Sequence, residues 1–152
     1  MVGYAKPSNM RNSNIFVLVA IMAIVLTGCN KWDCNGDLDG MWQLTEWRDK
    51  DNNVKATKQD MIFYSFQLQM ASFRKHSGEK AYIRTSLEVS PEQIRIYDPI
   101  EYIGNGHDKI LEMSVLSPFG VPKDGIFYVQ VLTSSAMMLR TNSQDVLTFR
   151  KY

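Results

Sequence analysis

The chain has 152 residues, of which 45% are hydrophobic, and it carries 17 basic and 16 acidic side chains. This near-neutral balance excludes electrostatic binding of nucleic acid, which requires a basic patch or stripe. The length suits one domain of ordinary size with a hydrophobic core of its own.

The first 28 residues have the organisation of a secretory signal. Lys6 and Arg11 lie in a segment without acidic residues, and the apolar run IFVLVAIMAIVL follows over residues 15–26. This run suits the apolar core of a signal, about 7–15 residues long, better than a membrane-spanning helix of about 20. The next residues, LTGC, resemble the bacterial lipobox. That resemblance implies that residues 1–28 are removed and that Cys29 carries a covalent lipid.

A lipid on Cys29 would place the protein in the bacterial cell envelope, with the outer membrane as the expected location. Stable anchoring requires more than one acyl chain, because a single chain binds membranes only marginally. The alternative is an uncleaved N-terminal anchor with an incidental cysteine. Loss of Lys6 and Arg11 with the signal changes the formal charge from +1 to −1. Lipidation would also leave Cys34 without a disulfide partner in the chain, as a free thiol, an intermolecular bridge or an incidental linker residue.

Residues 29–39 (CNKWDCNGDLD) are polar and rich in Asn, Asp and Gly, which predicts a tether before a domain at residues 40–152. Asn35, Asp37, Asp39, Gly40 and Glu46 also fit the spacing of a calcium-binding loop. A calcium hand needs flanking helices, whereas a strand is predicted directly after Gly40. An acidic tether is therefore the favoured interpretation, and no metal site is predicted.

From residue 40 onward, apolar residues recur with a period of two, which is typical of half-buried strands. Residues rich in Gly, Pro, Asn and Asp separate these runs. The run SPEQ at residues 90–93 fits a helical capping box, but Pro99 limits any helix there to about one turn, so a strand or a single turn is expected. The predicted strands cover residues 41–50, 61–70, 81–85, 87–89, 93–97, 111–116, 126–132, 136–140 and 145–152. This pattern predicts an all-β fold, either a sandwich or a small antiparallel barrel.

The residues Gly40 and Trp42 form a Gly-x-Trp motif at the start of the first predicted strand, which resembles the lipocalin signature. Further short motifs follow in order: FQ at residues 66–67, LTSS at 132–135, MLR at 138–140 and LTFRK at 147–151. With the lipobox, this series resembles the small lipocalin-like lipoproteins of the Bacteroides group over nearly the whole mature chain. The Thr-Asp-Tyr-type motif of true lipocalins is missing from the sequence.

The resemblance implies an up-and-down lipocalin-like β-barrel of about eight strands. It also implies that Trp42 packs at the closed end of the barrel against a basic side chain of the last strand, for which Arg150 is the matching position. A cation over an indole ring contributes about 0.5–2 kcal/mol, depending on burial.

Two functions remain open from the sequence. The first is binding of a small apolar or amphipathic ligand in or at the mouth of the barrel, with residues 104–108 and 117–125 as rim loops. The second is a structural or accessory role through contacts with another envelope protein, without a ligand cavity. Apolar strand positions would either line a ligand cavity or simply fill the barrel. These candidate lining residues are Tyr64, Phe66, Met70, Tyr82, Phe127 and Met137.

An enzymatic function is not expected. His76 and His107 both lie next to predicted turns, and no second histidine or cysteine stands at zinc-ligand spacing from either. No ordered set of catalytic residues or phosphate-binding loop is evident. We therefore predict no catalytic residue, and no cofactor other than the covalent lipid.

Overall fold

The computed structural model describes residues 35–75, 83–101 and 108–152, and the predictions for residues 1–28, Cys29, Cys34, Tyr82, His76 and His107 lie outside these ranges. The strands are β1 (Gly40–Arg48), β2 (Val54–Thr57), β3 (Ile62–Gln67), β4 (Met70–Lys75), β5 (Ile83–Val89), β6 (Gln93–Glu101), β7 (Lys109–Ile110), β8 (Ile126–Leu132), β9 (Ala136–Thr141) and β10 (Val146–Lys151). The 3₁₀ helices are η1 (Gly36–Leu38), η2 (Lys58–Asp60) and η3 (Met113–Phe119).

Eight of these strands form a closed antiparallel barrel. Their order around it is β1, β3, β4, β5, β6, β8, β9 and β10, and β10 pairs with β1 to close the sheet. The two short strands lie outside this order: β2 pairs with β1, and β7 pairs with β6. The predicted all-β, up-and-down barrel of about eight strands is therefore confirmed.

The single strand predicted over residues 61–70 is wrong, because the chain turns back within it. Strand β3 ends at Gln67, Leu68 adopts a left-handed conformation (φ 56°), and β4 begins at Met70, which pairs with Gln67. No Gly, Pro or Asn marks this turn, and the period-two pattern runs through it without a break. The hairpin puts Met70 on the outer face with Gln67.

The strand predicted over residues 111–116 is also wrong. The structure has the two-residue β7 before it and the 3₁₀ helix η3 in its place, which ends at Gly120 with φ 88°. The buried residues of η3, Leu116 and Phe119, are three positions apart. This spacing matches the three residues per turn of a 3₁₀ helix, so one side of η3 faces the core.

The two predicted strands at residues 93–97 and 87–89 are parts of longer strands. Strand β6 continues to Glu101 through Asp98, which has φ 51°, and Pro99. The register with β5 shifts at this point, so the proline lies in a bulge, where a missing N–H is tolerated. Strand β5 runs unbroken from Ile83 to Val89.

The barrel has two ends, which we call the tether end and the mouth end. The tether end contains the start of β1 at Gly40 and the end of β10 at Lys151, and the mouth end contains Arg48 of β1 and Val146 of β10. Leu38 of η1 is fully buried at the tether end. Part of the predicted tether therefore packs on the barrel, because the apolar side chain within this polar run enters the core.

Candidate functional site

The tether end is sealed around Trp42. Its side chain is fully buried, and its indole Nε1 donates a hydrogen bond to the carbonyl oxygen of Leu38 at 2.8 Å. Lys151 is the register partner of Trp42, and its Nζ lies 5.0 Å from the centre of the Trp42 ring. The same ammonium group donates to the carbonyl oxygen of Asp37 at 2.8 Å. The indole, the 3₁₀ helix η1 and the lysine together close this end.

The prediction that Arg150 covers Trp42 is wrong. The guanidinium of Arg150 instead donates two hydrogen bonds to Oε1 of Gln43, from Nε at 3.0 Å and from Nη2 at 2.7 Å. Successive side chains of a strand point to opposite faces, so Arg150 points outward from the barrel while Lys151 follows the inward direction of Phe149. The prediction was wrong by one residue along the last strand, and a shift of one residue moves a side chain from one face of the sheet to the other.

Four of the candidate lining residues lie in the interior of the barrel, where they pack against one another. Tyr64 is fully buried, and its ring centre lies 4.7 Å from those of both Phe73 and Phe149. The rings of Phe66 and Phe127 also lie near Tyr64, at 6.1 and 6.4 Å. The four interior residues are Tyr64, Phe66, Phe127 and Met137, each at most 1% exposed. In this conformation they fill the core.

Met70 does not line the interior. Its side chain is 46% exposed on the outer face, as its pairing with Gln67 requires. The prediction for this residue is wrong for the same reason as the strand prediction over residues 61–70.

The mouth end is covered by η3. We call η3 and the two residues that follow it, Gly120 and Val121, the plug. Leu116 is fully buried, and the ring of Phe119 lies 5.9 Å from that of Phe73. The hydroxyl of Tyr64 donates a hydrogen bond to the carbonyl oxygen of Phe119 at 2.8 Å. Burial raises the pKa of the Tyr64 phenol above its ordinary value, so it remains a hydrogen-bond donor.

Two glycines allow the plug its close approach to the barrel. A Cβ atom on Gly125 would lie 1.9 Å from the carbonyl oxygen of Ile96, and the carbonyl oxygen of Gly125 accepts a hydrogen bond from the Ile96 amide at 2.8 Å. A Cβ atom on Gly120 would lie 2.7 Å from Leu147 and 3.3 Å from the indole of Trp47. Both glycines have positive φ, which side chains disfavour.

Beside the plug an open cleft of about 470 Å³ lies at the mouth end. Its volume falls within the range of small-molecule sites, about 300–1,000 Å³. Apolar surface comes from Trp47, Val121 and Pro122, whereas Ser117 and the turn after β9 contribute polar groups. We call this feature the mouth cleft. The predicted rim loop at residues 117–125 contributes to it, and of the other predicted rim loop only Asp108 is described.

Hydrogen bonds fix the polar side of the mouth cleft. Nε1 of Trp47 donates to the Asp145 carboxylate at 3.0 Å, and the Asp145 amide donates to the Thr141 hydroxyl at 3.1 Å. Nδ2 of Asn142 donates to the Asp124 carboxylate at 2.5 Å. The cleft thus combines an anchored indole with two carboxylates and the side chain of Lys123, an arrangement suited to a ligand with both an apolar part and polar groups.

Sequence reasoning did not identify Trp47 as a site residue. Trp42 and Leu44 point inward, and the register with β10 shifts between Leu44 and Glu46, so Trp47 rather than Glu46 returns to the inner side. The register shift is a β-bulge, stabilised by the Thr45 hydroxyl, which donates to the Thr148 carbonyl at 2.9 Å. The sequence did contain a signal for this bulge: the apolar residues stand at even positions at Trp42 and Leu44 but at an odd position at Trp47.

Next to the mouth cleft, the turn between β1 and β2 carries an ion pair at the surface. Nζ of Lys55 lies 3.0 Å from the Asp49 carboxylate. The hydrogen bond from Lys55, together with amide donors of the turn, lowers the pKa of Asp49, and Asp49 in turn raises the pKa of Lys55. The Lys55 side chain is 48% exposed and that of Asp49 is 14% exposed, and we assign this surface pair a role in ordering the turn.

The calcium-loop residues form no cation site in the described part of the chain. The Asp39 carboxylate accepts hydrogen bonds from the side chain of Asn35 at 2.6 Å and from its backbone amide at 3.3 Å. Gly40–Arg48 is strand β1 and not a helix. Residues 35–75, 83–101 and 108–152 contain no group of three His, Cys, Asp or Glu side chains placed to hold a metal ion. None of the helices within these ranges is long and apolar enough to cross a membrane.

The proteins to which this chain is similar support the assignment of a lipocalin-like barrel. The family model of a lipocalin-like domain matches residues 24–152. A lipocalin-like protein from Bacteroides uniformis is 26% identical, over 77% of this chain and 100% of that chain, with a TM-score of 0.56. An uncharacterized protein from Bacteroides eggerthii is 28% identical, over 76% of this chain and 99% of that chain, with a TM-score of 0.53. No curated protein matches the sequence significantly.

The family model covers the whole described barrel. Together with the two Bacteroides structures, it confirms the predicted likeness to lipocalin-like proteins of the Bacteroides group. The chain therefore belongs to the lipocalin-like domain family.

Proposed function

We propose that the protein is a lipid-anchored, non-catalytic binding protein of the bacterial outer membrane that takes up a small amphipathic ligand at the mouth of its barrel. The lipid on Cys29 provides the membrane attachment, and no other cofactor is required. The mouth cleft is the observation that carries this proposal, because it combines the Trp47 indole and an apolar floor with the Asp124 and Asp145 carboxylates.

The position of the ligand follows from how the barrel is filled. Tyr64 and Phe127 occupy the interior together with the other core aromatic residues, and the plug covers the mouth end. A ligand inside the barrel would have to displace Leu116 and Phe119, whereas a ligand in the mouth cleft needs no such change. We therefore assign binding to the cleft and not to the interior.

Binding is tested with N-phenyl-1-naphthylamine, a small apolar fluorescent amine, on a lipid-free form that begins at Asn30. This form retains all described strands and core residues, which lie at residue 35 or later. We expect saturable binding that Ser117→Trp, which fills the cleft, weakens about tenfold or more. Ser134→Trp is the matched control, because Ser134 is exposed in the β8–β9 turn at the tether end. Equal binding by both variants would exclude the cleft as the site.

The lipid anchor is tested by metabolic labelling with an alkyne analogue of palmitate. We expect label on the wild-type chain and on Cys34→Ser, and none on Cys29→Ser. The two cysteines are the only ones in the sequence, so each variant is the control of the other. Label that persists on Cys29→Ser would contradict the assigned attachment site.

A structural or accessory role through contacts with an envelope protein is the second candidate, and the packed interior favours it. It is tested in cells with the photo-crosslinker p-benzoylphenylalanine at Asn142 at the mouth end and at Ser134 at the tether end. One discrete protein adduct from Asn142 alone, combined with no naphthylamine binding, would favour this role. Absence of an adduct together with cleft-dependent probe binding would support the ligand-binding role.

A further inference from the structure

We propose that the tether end of the barrel rests on the surface of the lipid bilayer, so that the mouth cleft faces away from the membrane. The proposal rests on the lipid anchor at Cys29 proposed above, and it adds an orientation and a second contact surface. The surface consists of the exposed apolar side chains Met70, Val89, Val131 and Tyr152 with the groove beside them.

The length of chain before the barrel restricts the distance between the tether end and the anchor. Asn35 is fixed at the tether end, because its Nδ2 donates to the Leu68 carbonyl oxygen at 2.7 Å and to the Asp39 carboxylate at 2.6 Å. Six residue steps separate Cys29 from Asn35, and a fully extended chain covers about 20 Å in six steps. A lipid on Cys29 therefore holds this end within about 20 Å of the bilayer.

The exposed apolar side chains are concentrated at the same end. Seven large apolar side chains of the described residues are at least 36% exposed, and four of them lie on strand ends at the tether end. Single exposed apolar residues are ordinary, but their concentration on the surface nearest to a lipid anchor points to a nonpolar partner. The four are Met70 (46%), Val89 (39%), Val131 (41%) and Tyr152 (67%).

A groove of about 790 Å³ continues this surface. Leu87, Pro91 and Leu132 contribute apolar walls, and Asn35 and Gly36 border it where the chain enters the barrel. The groove therefore lies directly beside the tether. A lipid acyl chain near the anchor is an apolar occupant that would be within reach of it.

The charges at the tether end are mixed, which identifies the kind of membrane contact. Asp37 and Glu92 are close to this end, as are the cationic Arg150 and Lys151. No single sign of charge dominates among them. Binding of this surface to the bilayer would therefore depend on burial of apolar side chains rather than on attraction to anionic lipids. Tyr152 is suited to such a contact, because tyrosine is favoured at the boundary between water and lipid. We expect the contact to change little with salt.

The test uses the mature, acylated protein in vesicles of phosphatidylethanolamine and phosphatidylglycerol. In a Cys34→Ser background, a nitrobenzoxadiazole fluorophore is attached to Val89→Cys or Val131→Cys at the tether end. Matched controls are Val54→Cys and Ile110→Cys, exposed apolar positions at the mouth end. Lipids brominated high on the acyl chain quench a fluorophore that contacts the bilayer. Mass spectrometry of each sample first establishes that Cys29 is acylated.

We expect quenching of at least twofold and blue-shifted emission at positions 89 and 131, with neither change at positions 54 and 110. Acylated protein with equal, water-like emission at all four positions would overturn the orientation while leaving the anchor intact. A blue shift at positions 89 and 131 without quenching by brominated lipid would indicate a protein partner and would also overturn the proposal. Protein without acyl groups would contradict the proposed anchor itself, so the two failures are distinguishable.

Discussion

The two ends of this barrel are closed in different ways. At the tether end, the fully buried Trp42 is hydrogen-bonded to Leu38 and covered by Lys151, so neighbouring parts of the same strands and η1 form the seal. At the mouth end, the seal is the plug, which is a separate segment of the chain. The Tyr64 hydroxyl connects it to the interior by a hydrogen bond to the carbonyl oxygen of Phe119. The tether end is thus closed by strand residues and the adjoining η1, whereas the mouth end is closed by a segment that covers the opening of the barrel.

This difference separates a structural end from a candidate binding end. The tether end has a continuous core and exposed apolar side chains outside it. The mouth end has the cleft beside Trp47 and polar turns around it. Variants at the two ends should therefore differ in whether they reduce global stability or release a local segment.

The largest expected effect is on Trp42. Trp42→Ala removes a fully buried indole and should reduce the free energy of unfolding by about 3–5 kcal/mol. Trp47→Ala is the matched variant at the mouth end, where the indole is only half-buried, and we expect a loss of about 1–2 kcal/mol. Urea unfolding monitored by circular dichroism measures both. An equal or greater loss for Trp47→Ala would contradict the assignment of the tether end as the more stable closure.

The plug should be released by Gly125→Ala, because the new Cβ atom would overlap the Ile96 carbonyl oxygen. We expect a loss of about 1–3 kcal/mol, with amide exchange accelerated in the plug and unchanged around Trp42. Gly36→Ala is the control, since Gly36 also has positive φ but a Cβ atom added there would have no neighbour within 4 Å. If both variants show the same exchange pattern, the overlap with Ile96 does not hold the plug.

Tyr64→Phe removes the hydrogen bond to Phe119 and should cost about 1–2 kcal/mol at pH 8. Burial raises the pKa of Tyr64 in the folded state, so this tyrosine stabilises the fold fully below its unfolded pKa near 10 and less as the pH rises above it. Urea unfolding at pH 8 and pH 10.5 should therefore show a steeper loss for the wild type than for Tyr64→Phe. Parallel losses would contradict the raised pKa of Tyr64 in the folded state.

The smallest effect concerns the lysine above Trp42. Lys151→Met should cost about 0.5–1 kcal/mol and shift the indole N–H resonance of Trp42, because Lys151 and not Arg150 lies over the ring. Arg150→Met should leave that resonance nearly unchanged, since Arg150 contacts Gln43 on the outer face. Two-dimensional NMR spectra compare the variants. A larger shift in Arg150→Met would restore the pairing of Trp42 with Arg150.

Much of the fold could be predicted from the sequence, and most errors have local causes. Period-two alternation located most barrel strands, because each has one face in the core and one in water. It failed at residues 67–70, where the turn contains no turn-forming residue, and at residues 113–119, where apolar residues serve a 3₁₀ helix. Of the mouth cleft, residues 117–125 were predicted as a rim loop, whereas Trp47 was missed because a β-bulge reverses its direction.

The sequence by itself determined the all-β class, the number of barrel strands to within about one, and the lipid-anchor hypothesis at Cys29. These depend on local periodicity and on a contiguous motif. Only the tertiary structure decided that Tyr64 and Phe127 fill the interior, that the plug covers the mouth, and that Lys151 covers Trp42. Such features depend on register and on contacts between distant segments, which the alternation of apolar residues along one strand does not specify.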